Sequence, residues 1–337
     1  MLTPFPDRRR GGTGHGGRAE ETHARNPGTA LDLGVVQELR FNASAAARRA
    51  ATIPARRSVK KAHQAAWLLK AVTCIDLTTL SGDDTAARVR RLCAKARRPI
   101  APDLLDALGL GDAGITCGAV CVYGAYVGEA VEALAGSGIP VAAVSTGFPA
   151  GLTPHDLKLR EIERSVADGA AEIDVVVTRA HVLRADWQAL YAEIRDFRAA
   201  CGEAHLKVIL ATGELGTLRA VARASMVAMM AGADFIKTST GKENVNATLP
   251  VALAMTRMIR RYEAIAGHKV GFKPAGGISN AKTALAFQTL MLEELGLAWL
   301  QPALFRFGAS SLLGDIERQL EHHVTGRYSA AHRHAMS

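Results

Sequence analysis

The chain has 337 residues, of which 48% are hydrophobic and 5% aromatic, so it can bury the core of one large α/β barrel or of two medium-sized domains. It contains no apolar run of about 18 residues, and its first thirty residues are polar, which argues against a membrane span and a secretory signal. The formal net charge of +9 leaves two partners open, a nucleic acid or an anionic small substrate.

The five cysteines are odd in number and widely spaced, and most of them lie in apolar runs. This pattern is typical of reduced thiols in the cytoplasm rather than of a disulfide framework. Cys117 and Cys121 lack the usual zinc spacing, and the histidines show no paired ligand spacing. We therefore expect a cytoplasmic protein with no metal site.

The N-terminal region divides into two predicted parts. Residues 1–30 have too few apolar side chains to offset the entropy of ordering and are predicted to be disordered. Residues 31–70 carry a helical pattern and are predicted to form a helical extension that packs onto the rest of the fold. Between Glu38 and Asp76 there are eight basic residues and no acidic one. We interpret this charge as a solvated helical face rather than a nucleic-acid patch, because aromatic residues are not interleaved with it.

Short apolar stretches alternate with amphipathic helical patterns over residues 71–325. Eight such units in about 250 residues fit a closed parallel TIM (β/α)8 barrel. A doubly wound sheet is disfavoured because no Gly-x-Gly-x-x-Gly follows an early strand. Residues 326–337 are predicted to form a polar tail. The predicted strands are 71–77, 118–123, 140–145, 172–177, 205–211, 235–238, 269–273 and 304–307, and the predicted helices are 84–97, 126–135, 155–168, 185–200, 216–231, 250–266, 281–295 and 311–323.

Two lysines interrupt the apolar strands of this barrel. Lys237 ends the run Asp234-Phe-Ile-Lys and precedes a Thr-Ser-Thr-Gly turn, and Lys273 ends the run Val270-Gly-Phe-Lys before a glycine loop. A single lysine at a strand end usually extends its ammonium group to solvent. Two of them on neighbouring strands, at the end of the barrel where function lies, indicate an amine nucleophile with a cationic neighbour.

Two carboxylates are predicted near these lysines. Asp76 ends the first strand, and Asp174 lies within the fourth strand in an otherwise apolar run. Alone, Asp174 fits a structural carboxylate equally well, but opposite two ammonium groups it becomes a candidate for proton transfer. Two ammonium groups about 5 Å apart repel by roughly 3 kcal/mol, which corresponds to a pKa lowered by about two units. We assign the lowered pKa to Lys237, because its strand position points it into the barrel beside Asp174.

Glycine-rich loops follow predicted strands six, seven and eight. In barrels the last two loops often form a phosphate cradle, in which backbone N–H groups and a helix N-terminus face the anion. Tight turns alone would explain one such loop, but the coincidence of three favours a phosphorylated substrate. The candidate phosphate-binding residues are Thr240, Gly241, Lys242, Gly276, Gly277, Gly308, Ser310 and Ser311.

Seven motifs in chain order resemble the deoxyribose-phosphate aldolase family. The resemblance spans roughly residues 30–330 and is to the longer members, which carry an N-terminal helical segment. It implies a TIM barrel and a class I aldolase that reversibly cleaves 2-deoxy-D-ribose 5-phosphate to acetaldehyde and glyceraldehyde 3-phosphate, with no metal or organic cofactor. The motifs are Ile75-Asp-Leu-Thr-Thr-Leu80, Ala119-Val-Cys-Val-Tyr123, Glu172-Ile-Asp-Val-Val176, Ala211-Thr-Gly-Glu-Leu215, Asp234-Phe-Ile-Lys-Thr-Ser-Thr-Gly-Lys242, Gly271-Phe-Lys-Pro-Ala-Gly-Gly277 and Phe307-Gly-Ala-Ser-Ser311.

Carried over residue by residue, the resemblance implies a role for four strand residues. Lys237 would form the Schiff base, Asp174 and Lys273 would exchange protons, and Asp76 would help to order the site.

The same resemblance marks Thr78 and Cys121 as substrate contacts. One departure from the family is that Gly124 follows Tyr123, where proline is usual.

Two alternatives stay open. The first is a basic barrel that binds nucleic acid through its lysines, which steep salt dependence without borohydride trapping would favour. The second is a class I aldolase or transaldolase for another sugar phosphate, which a panel of aldehyde donors would separate. The expected partners are a sugar phosphate and acetaldehyde, with no nucleic acid and no membrane. The oligomeric state is left open, with a homo-oligomer as one option.

Overall fold

A computed structural model describes residues 24–56, 59–330 and 332–334 of the chain. Eight parallel strands form one sheet in the order β7-β6-β5-β4-β3-β2-β1-β8. Parallel bridges from Phe272 to Phe305 and from Ala275 to Gly308 join the two outer strands and close the barrel. The predicted (β/α)8 barrel is therefore confirmed. The strands are β1 Ile75–Thr78, β2 Ala119–Tyr123, β3 Val141–Ser145, β4 Glu172–Val176, β5 His205–Ile209, β6 Phe235–Lys237, β7 Gly271–Lys273 and β8 Phe307–Ala309.

Helices surround this barrel, and several begin where a side-chain oxygen caps the first turn. Thr217, Thr248 and Asn280 each accept a hydrogen bond from the backbone N–H three residues later, which satisfies a donor that the helix itself cannot pair. In the described ranges, no helix combines the length and the apolar character needed to cross a membrane. The helices are α1 Leu33–Glu38, α2 Ala43–Arg56, α3 Lys61–Thr73, α4 Ala86–Arg97, α5 Pro102–Ala107, α6 Val127–Ala133, α7 His155–Ala167, α8 Arg179–Leu183, α9 Trp187–Ala200, α10 Leu218–Met230, α11 Leu249–Ala266, α12 Ala281–Leu295 and α13 Leu312–Thr325.

The first and last strands differ from their predicted positions. The predicted strand 71–77 begins too early, because its first three residues continue α3 and the chain turns at Cys74 before β1. The predicted strand 304–307 ends where β8 begins. Both errors arise where an apolar run crosses an element boundary, since burial alone does not distinguish the end of a helix from a strand. The short helices α5 and α8 were not predicted.

The helical extension packs against one side of the barrel. Helix α2 contacts α11 and α12, and α3 contacts α12 and α13. Ile53 of α2 and Leu68 of α3 are buried in the main hydrophobic core. Arg49 adds ion pairs to Glu293 at 2.9 Å and to Glu294 at 3.3 Å. Part of the basic charge of the extension therefore pairs with carboxylates of α12.

Residues 24–30 lie against the barrel and are held by Asn26, which is 2% exposed. The Asn26 N–H donates to Asp234 Oδ1 at 2.6 Å, and its side-chain amide donates to two backbone carbonyls at the end of α10 at 2.8 and 2.9 Å. Its side-chain oxygen accepts from the Tyr262 hydroxyl at 2.9 Å. The expectation of disorder up to residue 30 is therefore wrong for 24–30, and residues 1–23 lie outside the described ranges.

We expect Asn26→Ala to lower the free energy of unfolding by about 2–3 kcal/mol, because the Tyr262 hydroxyl and the Ala233 carbonyl lose their Asn26 partner and the Met229 carbonyl keeps only its backbone donors. Chemical denaturation at equilibrium measures this loss. Asn244→Ala, at an exposed loop position, is the matched control and should change the stability little. Equal stability of the two variants would contradict the anchoring role of Asn26.

Candidate active site

The parallel register brings the four predicted catalytic residues together inside the barrel. Lys237 and Lys273 are the last residues of β6 and β7 and lie directly opposite each other. The Oδ2 atom of Asp174, in the middle of β4, accepts from Lys237 Nζ at 2.6 Å and from Lys273 Nζ at 2.7 Å. The Lys273 ammonium also contacts the carboxylate of Asp76 on β1. One aspartate therefore bridges the two lysines, and a second aspartate pairs with Lys273.

A second layer of charged groups lies deeper in the barrel. Lys207 Nζ of β5 is 3.3 Å from Asp76 Oδ2 and also contacts the carboxylate of Glu172. Arg306, just before β8, reaches Asp76 Oδ1 at 2.6 Å and Glu172 Oε1 at 2.9 Å. This layer fixes Asp76 from below, so Asp76 can order the upper layer that contains the two lysines.

The sequence prediction missed Lys207 and Arg306 and treated Glu172 only as part of a motif. Each lies in a buried barrel segment, and a signal for each of them existed. Lys207 interrupts an apolar strand just as Lys237 does, and Glu172 lies two residues before Asp174, on the same face of β4. A search for charged residues at alternate positions of apolar strands would have found both. Arg306 carries a similar signal, because it interrupts the apolar run predicted as strand eight at 304–307, although the observed β8 begins one residue later.

The buried cluster contains four basic groups and three carboxylates, so it cannot be neutral if every group is ionised. Among the described residues, Lys237 contacts one carboxylate, whereas each of the other three cations contacts at least two. Burial lowers the pKa of Lys237, and the Lys273 ammonium lowers it further against the opposing effect of Asp174. Lys237 is therefore the group in the cluster best able to lose its proton.

The two neighbours Lys273 and Asp174 are instead held in their charged forms. Burial favours neutral Lys273, but Asp174 and Asp76 override it and raise the pKa of Lys273. Burial likewise favours protonated Asp174, but Lys237, Lys273 and Lys207 lower the pKa of that carboxyl group well below its usual range. Lys273 thus stays cationic and Asp174 stays anionic beside a lysine whose pKa is lowered.

A cavity of about 420 Å³ opens above this cluster, at the carboxyl ends of the strands. Lys237 lines it, whereas Lys273 is fully buried and does not. The predicted phosphate-binding residues and Thr78 all line the same cavity, and sequence analysis did not single out its wall residue Arg88. These lining residues are Thr78, Thr240, Gly241, Lys242, Gly276, Gly277, Gly308, Ser310 and Ser311.

Cys121 is the predicted substrate contact that does not line this cavity. Its side chain is buried with Ala142 and Val144, and burial raises the pKa of its thiol. Gly124 follows β2 in a short helical turn, where an added Cβ would lie 2.9 Å from the Ser165 hydroxyl oxygen. Neither residue contributes a polar group to the cavity wall.

Parallel strands that close into a barrel, with lysines and an aspartate below a cavity at their carboxyl ends, define the class of (β/α)8-barrel aldolases. Within this class the chain belongs to the DeoC/LacD aldolase family, which it matches over residues 70–312. The resemblance inferred from the seven sequence motifs is thereby confirmed.

Individual relatives extend the match beyond the barrel. The chain is 63% identical over 316 residues to a Homo sapiens protein named deoxyribose-phosphate aldolase, covering 93% of this chain and 99% of that protein. A crystal structure described as a putative deoxyribose-phosphate aldolase from Coccidioides immitis has a TM-score of 0.61 and 25% identity, covering 81% of this chain and 97% of that one. The match to a deoxyribose phosphate aldolase from Aeropyrum pernix, described as having a unique tetrameric structure, has a TM-score of 0.57 and 21% identity. It covers 83% of this chain and 99% of that one, and it supports the fold alone.

Proposed function

We propose that this chain is a deoxyribose-phosphate aldolase, a lyase that reversibly cleaves 2-deoxy-D-ribose 5-phosphate to acetaldehyde and glyceraldehyde 3-phosphate in deoxyribose catabolism. Family membership and the 63% identity to the human aldolase support the reaction. The observation that carries the mechanism is that Lys237 lines the cavity while its pKa is lowered by burial and by Lys273. A neutral amine facing the substrate is what Schiff-base catalysis requires.

Lys237 acts as the nucleophile. Its neutral amine attacks the C1 aldehyde of the open-chain sugar, and the resulting carbinolamine loses water to give an iminium. The bond between C2 and C3 then breaks as the 3-hydroxyl loses its proton and the bonding electrons move into the iminium. Glyceraldehyde 3-phosphate leaves, and the remaining enamine takes a proton at C2 before hydrolysis releases acetaldehyde. The iminium is the electron sink, so the reaction proceeds without a metal or an organic cofactor.

Asp174 exchanges the protons in this mechanism, and Lys273 positions it. The two lysines occupy Asp174 Oδ2, while among the described residues Asp174 Oδ1 accepts no hydrogen bond and has only a 3.5 Å ion pair with Lys207. Oδ1 is therefore the oxygen that can accept a proton, and because Asp174 is fully buried and does not line the cavity, the proton reaches it through a water. Lys273 keeps its proton and holds Asp174 in position, and Asp76 orients Lys273 from below.

The phosphate of the substrate binds at the far side of the cavity. Lys242 supplies a positive charge, Thr240 and Gly241 supply polar groups of the loop after β6, and Ser310 and Ser311 precede α13. Lys237 and Lys273 are at most 3% exposed, so they cannot contact the backbone of a nucleic acid. The arrangement therefore favours a small sugar phosphate over the nucleic-acid alternative. Cys121 and Thr78 remain proposed substrate contacts from the family resemblance.

Borohydride reduction in the presence of acetaldehyde, followed by mass spectrometry, tests this proposal. We expect one reduced adduct, located on Lys237, together with cleavage of 2-deoxy-D-ribose 5-phosphate. An adduct on Lys273 or Lys242 would show that the wrong lysine has been assigned. Greater activity with another aldehyde donor and another sugar phosphate would contradict the substrate.

We expect Ser310→Glu to raise the KM for 2-deoxy-D-ribose 5-phosphate by about tenfold or more, because a new carboxylate would repel the phosphate. Cleavage of unphosphorylated deoxyribose should change little, since that substrate lacks the anion. Ser310 is exposed and suits this test better than Gly276, whose φ is +75° and whose added Cβ would lie 2.6 Å from Asn246 Cγ. Steady-state kinetics with both substrates measure the effect, and equal losses on the two would contradict the assignment.

Cytoplasmic location and assembly into a homo-oligomer are also part of the proposal. All five cysteines are free and buried, in keeping with a reducing compartment. Assembly into a homo-oligomer stays a prediction here, although the Aeropyrum pernix aldolase, which shares the fold, is described as a tetramer. Light scattering on the purified chain measures its mass in solution, and a monomer at all concentrations would contradict this part.

A further inference from the structure

Glu243 lies in the loop after β6, with its carboxylate turned back onto the loop itself. Both carboxylate oxygens accept from the Thr240 N–H at 3.0 Å. Its Oε2 also accepts from the Thr240 hydroxyl at 2.8 Å and from the Gly241 N–H at 3.1 Å. Glu243 is 9% exposed, and Thr240 and Gly241 line the cavity above Lys237. A carboxylate of the protein, which does not itself line the cavity, therefore occupies donors of the loop that forms the phosphate end of the cavity.

These donors form an anion-binding turn. Two successive backbone N–H groups and one hydroxyl converge on one point, and the turn is possible because Gly241 adopts a φ of +87°. A carboxylate and a phosphate seek the same kind of donors. One N–H group cannot serve both anions fully, so substrate phosphate and the Glu243 carboxylate compete for this turn.

The charge of Glu243 has no direct counter-charge. Within the described ranges the Glu243 carboxylate accepts only from backbone N–H groups and the Thr240 hydroxyl and forms no ion pair, although Lys242 is its neighbour in sequence. The backbone of the loop is held separately, since the Asn246 side-chain amide donates to the Glu243 carbonyl at 2.8 Å. The carboxylate can therefore leave the turn while the backbone of residue 243 keeps its anchor.

We propose that Glu243 is a specificity-determining residue whose carboxylate is an internal competitor of the substrate phosphate. This inference rests on the proposed function. In the empty site the carboxylate holds the turn in its anion-bound shape. The phosphate of the substrate displaces the carboxylate, and breaking its hydrogen bonds to the turn makes the net free energy of phosphate binding less favourable. When glyceraldehyde 3-phosphate leaves, the carboxylate takes the donors back, so Glu243 weakens phosphate binding and assists product release.

The test is the variant Glu243→Gln. It removes the negative charge, while the glutamine amide oxygen can still accept hydrogen bonds from the turn. We expect the dissociation constant for inorganic phosphate, measured by calorimetry, to fall by about tenfold, and the KM for 2-deoxy-D-ribose 5-phosphate to fall with it. Glu132→Gln, an exposed glutamate in the last turn of α6, makes the same change in net charge and should alter none of these values.

An unchanged or weaker phosphate affinity in Glu243→Gln would overturn the inference, whether the loop keeps its shape or not. Glu243→Ala gives a second measurement, because it removes the competing acceptor entirely and should also bind inorganic phosphate more tightly than wild type. Phosphate binding is measured without turnover, whereas acetaldehyde trapping on Lys237 is measured without phosphate. Failure of the trapping would therefore count against the proposed function alone, and failure of the phosphate effect against Glu243 alone.

Discussion

Lys237→Arg is expected to abolish both the trapping of acetaldehyde and the cleavage of 2-deoxy-D-ribose 5-phosphate. Arginine keeps a positive charge that can pair with Asp174, but its guanidinium stays protonated and cannot form an imine. The loss in kcat should be on the order of 10⁴-fold or more, as expected when a covalent nucleophile is removed. Single-turnover trapping with borohydride and steady-state kinetics measure the two losses independently.

Lys242→Arg is the matched control for this change. Lys242 is exposed, lies in the same loop and keeps its charge on substitution, so this variant should trap acetaldehyde at the wild-type rate. Its effect should be confined to the KM for the phosphorylated substrate. Residual trapping in Lys237→Arg, with the adduct on Lys273, would show that either lysine can form the Schiff base.

Asp174→Asn is expected to lower kcat by about 10²- to 10⁴-fold, because it removes the group that accepts protons beside the reacting carbon. It should also shift the pH dependence of trapping. Asp174 raises the pKa of Lys237 against the effects of burial and of Lys273. Without the carboxylate the pKa of Lys237 falls further, so the midpoint of the trapping rate should move to lower pH.

The same variant should be less stable, because the four buried basic groups would face two carboxylates instead of three. A loss of about 3 kcal/mol or more in the free energy of unfolding is the expected size when one partner of a buried ion pair is removed. Asp156→Asn, at an exposed position in the first turn of α7, is the control and should change neither the stability nor the pH midpoint. A midpoint that moves to higher pH would contradict the electrostatic account of Lys237.

The upper half of the site was predictable, because its lysines stand out in the sequence. Lys237 and Lys273 each end an apolar run before a glycine loop, and the barrel rule places both at the functional end. The lower half was not predictable to the same degree. Pairing of Arg306 with Glu172 depends on how far the strands are shifted around the closed barrel, and local sequence does not encode that shift.

Two further features lie beyond local pattern. Glu243 resembles any other charged loop residue in the sequence, and its role depends on the turn that brings it back onto Thr240. Asn26 lies in a polar segment that composition predicts to be disordered, yet this one asparagine finds four buried partners near α10, α11 and the start of β6. Composition averages over a segment, whereas a single well-placed amide is enough to hold it.

The Asn26 anchor has a consequence for the order in which the chain folds during synthesis. Its partners Asp234 and Tyr262 are separated from it by 208 and 236 residues along the chain. A ribosome adding about 5–20 residues per second reaches Tyr262 more than ten seconds after Asn26 has been made. Until then this first segment has no surface on which to dock, while the strands of the early βα units can already pair. Residues 24–30 are therefore translated long before their partners and are among the last to reach their native contacts.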